Sequence, residues 1–217
     1  MLVNSINLLK DARKNKSCIP AFNVYNLETI KSAFEAQKIT KRPIIIAFGE
    51  TYLKYIDFDT IVAIVKSLDK NNNLPVVLHL DHCKNVETVK RAIDCGFTSV
   101  MYDGSHLNFN ENIENTKCVV EYAHSKNVSV EGELGYMNPE DGSTTIEAGV
   151  DAYTNPEQAL EYVTKTNIDS LAVVVGNSHG LYKGKPHLEF DLIKEIYDKV
   201  KIPLVLHGGP GIDNAQI

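Results

Sequence analysis

Three things are scarce in this 217-residue chain, namely clustered positive charge, paired cysteines and long apolar runs, and each absence removes a class of function. The formal net charge is −6 at pH 7 and no Lys/Arg cluster forms. Nucleic acid and anionic membrane both require a basic face, so neither is expected as a partner. The four cysteines, Cys18, Cys83, Cys95 and Cys118, show no CxxC or other paired-ligand spacing. A chain this long needs no disulfide staples, and they are expected as reduced thiols. No run is long enough to span a bilayer. Residues Met1 to Ser5 lead into an amphipathic stretch around Ile6, Leu8 and Leu9, with Lys10 and Arg13, and not into the apolar core of a signal peptide. The cytoplasm is the expected compartment.

Short apolar runs alternate with amphipathic segments along the whole chain: 19–23, 43–48, 75–79, 99–102, 128–131, 171–175 and 203–206. Such runs suit strands of a parallel sheet covered on both faces. Between them the pattern is helical. Asn85 stands as N-cap before Val86, Val89, Ala92 and Ile93, with Gly96 just past the end, and Asn155-Pro156 opens another helix with a cap and a first-turn proline. The repeat is therefore βα, and the class is α/β. A glycine fingerprint GxGxxG after the first strand is absent, which favours a (β/α)8 TIM barrel over a dinucleotide-binding sheet. The expectation is one barrel domain over residues 1–217. Seven strands are found where a barrel has eight, so the eighth βα unit is expected outside the chain as given. The long connection from about Gly135 to Asn155 is expected to be an active-site loop.

Three of the apolar runs lead into histidine: one into Asp81-His82, one into His179-Gly180, and one into His207-Gly208-Gly209. In a barrel the carboxyl ends of the strands share one mouth, so histidines far apart in sequence would converge there. Three neutral imidazoles with an open fourth position make a catalytic zinc site. A single strand-end histidine is more often a hydrogen-bonded or capping residue; three at equivalent positions favour the metal. Asp81 has two readings of equal weight, orienting a histidine ligand or donating and accepting a substrate proton.

These blocks resemble a known family. His79-Leu80-Asp81-His82, the stretch 96–106, Glu111-Asn112-Ile113, the stretch 129–135, 176–180, Tyr182-Lys183-Gly184 and 206–209 are similar to the class II fructose- and tagatose-bisphosphate aldolases, from Pro20 to the last residue. The resemblance implies a zinc-dependent lyase that reversibly cleaves a ketose 1,6-bisphosphate to dihydroxyacetone phosphate and glyceraldehyde 3-phosphate through a zinc-stabilised enediolate. It implies that His82, His179 and His207 hold catalytic Zn2+, that Asp81 is the catalytic proton shuttle, and that Asp103 and Glu133 form a second or resting metal position. It also implies that Lys183, Gly180, Gly208 and Gly209 line a phosphate site and that Asn23 contacts the ketone. For Asp103 and Glu133 the alternative is helix capping or lysine pairing, and for Lys183 a solvated loop lysine. A homodimer or larger homo-oligomer follows from the family, and an assisting monovalent cation stays open. A Schiff-base aldolase would bury a lysine in a strand, and none of the apolar runs holds one.

The chain departs from the family in three places. Pro210 stands in Gly208-Gly209-Pro210-Gly211 where Gly-Gly-Ser-Gly is usual. Glu50 follows Phe48-Gly49 where Ser or Thr is usual, and would set a carboxylate near the substrate oxygens. The loop after Gly135 reads Tyr136-Met137-Asn138-Pro139, so Glu140 and Asp141 receive no role. Retained aldol chemistry with a shifted substrate preference is the expectation. Two rivals stand beside it: a zinc hydrolase, which usually carries an HxH pair on the first strand where this chain has Ala21 to Val24, and a non-catalytic paralogue that binds a sugar phosphate.

Overall fold

Each apolar run becomes a strand. The computed structural model describes residues 1–135, 153–180, 182 and 186–216. The strands are β1 (Ala21–Asn23), β2 (Ile44–Gly49), β3 (Val76–Cys83), β4 (Ser99–Tyr102), β5 (Ser129–Leu134), β6 (Ser170–Val173) and β7 (Leu204–Val205). The helices are α1 (Ile6–Lys14), ahead of β1, then α2 (Leu27–Thr40), α3 (Phe58–Asp69), α4 (Val86–Cys95), α5 (Phe109–Ser125), α6 (Pro156–Thr166) and α7 (Phe190–Val200). The fold is α/β, with seven parallel strands in one sheet in chain order. Among the described residues one α-helix lies between each strand and the next, a usual form of parallel connection.

Local chemistry sets the boundaries. Asn85 accepts the Thr88 N–H at 3.0 Å to open α4, and Gly96, at φ +115°, closes it. Asn155 accepts the N–H groups of Glu157 and Gln158 ahead of Pro156 to open α6. Two further caps went unread in the sequence. Asn26 and Thr29 form a reciprocal capping box at α2, and Asp57 accepts the Thr60 N–H at 2.8 Å at α3.

Contacts divide the chain into two units, residues 1–103 with 118–131, and residues 104–117 with 132–217. The first has a core of strand residues such as Ile46, Phe48, Leu78, Leu80 and Val100 covered by Ile30, Phe34, Ile61 and Val89. Edge-to-face rings carry it inward, Phe48 on Phe58 at 6.4 Å and Phe58 on Phe97 at 5.1 Å. The second unit buries Tyr162, Leu171 to Val175, Leu188 and Ile196. Here the Tyr162 hydroxyl meets Thr116 Oγ1 at 2.8 Å and donates to Asn112 Oδ1 at 3.0 Å, a buried network whose members are mutually satisfied. Most of the long connection, Glu140 and Asp141 included, lies outside the described residues. Among the described residues no helix is long and apolar enough to cross a membrane.

Candidate metal centre

Strand β3 outruns its apolar segment and continues through Asp81, His82 and Cys83. In a regular strand Asp81 and His82 would point to opposite faces. Here His82 takes φ +45°, and the register with β4 slips between Leu80 and Cys83. The irregularity re-aims the side chain, as a β-bulge does. Asp81 Oδ1 and His82 Nε2 consequently lie on one side, 4.0 Å apart, too far for a hydrogen bond. The imidazole meets Asp103 instead, Nδ1 to Oδ2 at 3.3 Å. Asp103 follows β4 directly and is tied back to β3, its N–H donating to the Cys83 carbonyl at 2.8 Å. Asp81 accepts the side-chain amide of Asn23, at the end of β1, at 2.9 Å. Asp81 is only 3% exposed and Asp103 6%. Burying a carboxylate this far is costly unless it is hydrogen-bonded or faces positive charge.

Two features of this unit were not read from the sequence. His79, inside the same strand, contacts Ser99 Oγ through Nδ1 at 2.8 Å and lies 3.9 Å from Glu131 on β5, all three buried. The signal was present: His79 and Asp81 alternate along a strand, as do Glu131 and Glu133, and alternation places each pair on one face. Glu50 also behaves unexpectedly. Its Oε2 accepts the Lys84 N–H at 3.0 Å, so the carboxylate secures the segment after His82. Burial pushes the neighbouring Cys83 thiol far up, and the Glu50 charge adds to this, so Cys83 stays a neutral thiol.

In the second unit the rings of His179 and His207 have centroids 5.7 Å apart. Their segments are stapled by Asn177, 1% exposed. It accepts the Val175 N–H at 2.8 Å and donates to the carbonyls of Val173 at 3.2 Å and His207 at 3.1 Å. The two glycines following these histidines serve different ends. Gly208, at φ +71°, lies so close to the Ser178 carbonyl that a Cβ would stand 2.1 Å from its oxygen. No described residue lies within 4 Å of a Cβ built at Gly180, whose backbone is left-handed at φ +78°. Gly209 opens a tight turn to Gly211 with Pro210 inside it, and it too has no described residue within 4 Å of a built Cβ. Glu133 is 1% exposed, and its backbone carbonyl accepts the Asn112 amide at 3.1 Å. Lys183 lies outside the described residues.

Among the described residues two groups of side chains could hold a metal ion: His82 with His179 and His207, and His82 with Asp103 and Glu133. In each, one ligand atom per residue lies within 4.8 Å of the others. Tetrahedral ligands about 2.0–2.1 Å from zinc sit roughly 3.3 Å from one another. Three imidazoles suit zinc, and one imidazole with two carboxylates suits a harder divalent ion or a second zinc position. The donor sets fit the metal that the sequence pattern implies.

Known proteins resemble this chain in sequence and fold. A family model described as "Fructose-bisphosphate aldolase class-II" matches residues 3–217. A fructose-bisphosphate aldolase of Staphylococcus aureus (strain Mu50) is 43% identical over 219 residues, spanning all of this chain and 76% of that protein. Among solved structures, the YdjI aldolase of Escherichia coli K12 superposes with a TM-score of 0.89 at 36% identity, over all of this chain and 76% of that one. The Campylobacter jejuni fructose-bisphosphate aldolase, at 24% identity, shares the fold with a TM-score of 0.79 over 97% of this chain and 71% of its own. A match that runs from residue 3 to the end, and includes every histidine-bearing segment described above, leaves one conclusion: the chain belongs to the class II fructose-bisphosphate aldolase family, a family of lyases.

Proposed function

We propose that this chain cleaves a ketose 1,6-bisphosphate of the fructose or tagatose type, reversibly, into dihydroxyacetone phosphate and glyceraldehyde 3-phosphate. The observation that carries the reading is the grouping of His82, His179 and His207 in a chain of this family. These histidines would hold zinc, with His82, Asp103 and Glu133 as a second cation position. When bound, zinc supplies Lewis-acid polarisation of a substrate carbonyl.

The chain's own residues supply the rest. Cleavage breaks the C3–C4 bond, releases the C4 hydroxyl proton as the new aldehyde forms, and returns a proton to C3. Asp81 takes and gives the proton at the C4 oxygen, with Asn23 fixing the direction of its carboxylate. The backbone at Gly180, Gly208 and Gly209, together with Lys183, binds phosphate. Pro210 cannot donate an N–H there, and losing one hydrogen bond to a charged group costs roughly 1.5–3 kcal/mol. A substrate preference shifted from that of the family follows. The seven strands read as seven of the eight in a (β/α)8 barrel, and a cytoplasmic homodimer or larger homo-oligomer completes the proposal.

The test is zinc content measured together with turnover on fructose 1,6-bisphosphate, tagatose 1,6-bisphosphate and a non-phosphorylated ketose. Asp81→Ala should keep the metal and lose cleavage. Purified protein that holds no zinc and turns over neither bisphosphate would end the reading, and undiminished ordinary activity on the fructose substrate would end the proposed shift in preference.

A further inference from the structure

We propose that Tyr182 is a positioning residue whose hydroxyl sets the separation of His179 and His207, and through it the affinity and geometry of the metal site. The inference rests on the metal reading above and adds a residue to it. The Tyr182 oxygen accepts the Ser178 N–H at 2.9 Å, and its hydroxyl donates to the Gly208 carbonyl at 3.2 Å. Ser178 precedes His179 and Gly208 follows His207, so one oxygen joins the backbones beside both histidines.

The surroundings are shaped around this contact. Gly208 approaches Ser178 so closely that any side chain is shut out, and a Cβ there would also stand 3.3 Å from the Tyr182 hydroxyl. At Gly211 a Cβ would lie 2.2 Å from one ring carbon of Tyr182 and 2.5 Å from another, so the ring occupies the space a side chain would need. Asn177 links the same two segments through the His207 carbonyl. A tyrosine present for packing alone would not need its hydroxyl, and phenylalanine would serve equally. Here the hydroxyl makes both of the polar contacts.

Groups that orient metal ligands typically change metal affinity about 10- to 100-fold when removed. The experiment titrates Co2+ into metal-free wild-type protein, Tyr182→Phe and Gly211→Ala. It reads the visible d–d absorption, the affinity in competition with a chelator, and the melting temperature of each metal-free protein. Tyr182→Phe should bind at least about tenfold more weakly and with a displaced absorption band, while its metal-free melting temperature stays close to wild type. Gly211→Ala, which pushes the ring aside with its hydroxyl intact, should act in the same direction, and it decides the matter should Tyr182→Phe not fold. Wild-type affinity and spectrum in Tyr182→Phe overturn the proposal. A wild-type protein that takes up no metal overturns the metal reading and this inference with it, whereas metal uptake without aldol turnover removes only the proposed reaction.

Discussion

Replacing Asn23 by alanine separates two roles that one residue can play. The family resemblance implies that Asn23 touches the ketone, whereas its amide donates to Asp81 Oδ2 at 2.9 Å. Hydrogen bonds to charged groups contribute roughly 1.5–3 kcal/mol when well buried. The acceptor is buried, but Asn23 itself lies on an exposed strand, so water competes for the contact. A discounted figure of about 1–2 kcal/mol corresponds to roughly a 5- to 30-fold effect. If Asn23 aims the proton-transferring carboxylate, the loss falls on kcat, because aim matters most when the proton moves. Metal content should stay at the wild-type level, since Asn23 belongs to neither group of side chains that could hold a metal ion. Steady-state kinetics on fructose 1,6-bisphosphate, paired with zinc analysis, is the assay. A rise confined to KM, with kcat intact, would refute the aiming role and return Asn23 to substrate contact alone.

Three other perturbations test the surroundings of the site. Glu50→Ala should free the Lys84 N–H and lower stability in urea by about 1–2 kcal/mol, without improving KM for the bisphosphate; a marked fall in KM would mean that the carboxylate had been repelling substrate. In native protein a thiol reagent should label the exposed Cys18 and Cys118 and spare Cys83, and labelling of Cys83 at the rate of the exposed pair would contradict its burial. Because the native Cys83 value is raised above its ordinary 9.0, the contribution of its neutral thiol is complete below that pH and is lost as pH climbs toward the native value; alkaline unfolding curves should therefore flatten in Cys83→Ala. Tyr162→Phe removes a hydroxyl shared by Thr116 and Asn112 inside the second unit. A stability loss of about 1–3 kcal/mol is expected by denaturant titration, and no loss would show that water replaces the hydroxyl.

Much of the fold was legible because its signals are local. Asn85 with Gly96, and Asn155 with Pro156, act on backbone within a few residues of themselves: α4 begins and ends where the first two stand, and α6 begins where the second two stand. The strands were legible from apolar runs, although β3 extends four residues past its run because the polar residues Asp81 and His82 find partners inside the protein. The histidine-bearing segments were legible for a similar reason, each lying at or just beyond an apolar run. What joins segments was not. Asn23 reaches Asp81 across 58 positions, and Asn177 reaches the His207 carbonyl across 30. Neither pairing leaves a periodicity or a spacing to read, because each depends on strands meeting in register.

The backbone of His82 shows most sharply why. A histidine at φ +45° is uncommon, and such conformations cost on the order of 1–3 kcal/mol, persisting only where the surroundings over-determine them. Here the surroundings do so from two directions: the His82 N–H contacts the Met101 sulfur at 3.4 Å, and the ring reaches Asp103. Had the strand continued its ordinary alternation, Asp81 and His82 would face apart, and the two could not serve one substrate in the roles proposed for them. The strain is thus concentrated at the residue common to both groups of side chains that could hold a metal ion. Sequence alternation alone predicts the wrong face for one member of the pair, and only the contacts of β4 with β3 reverse it.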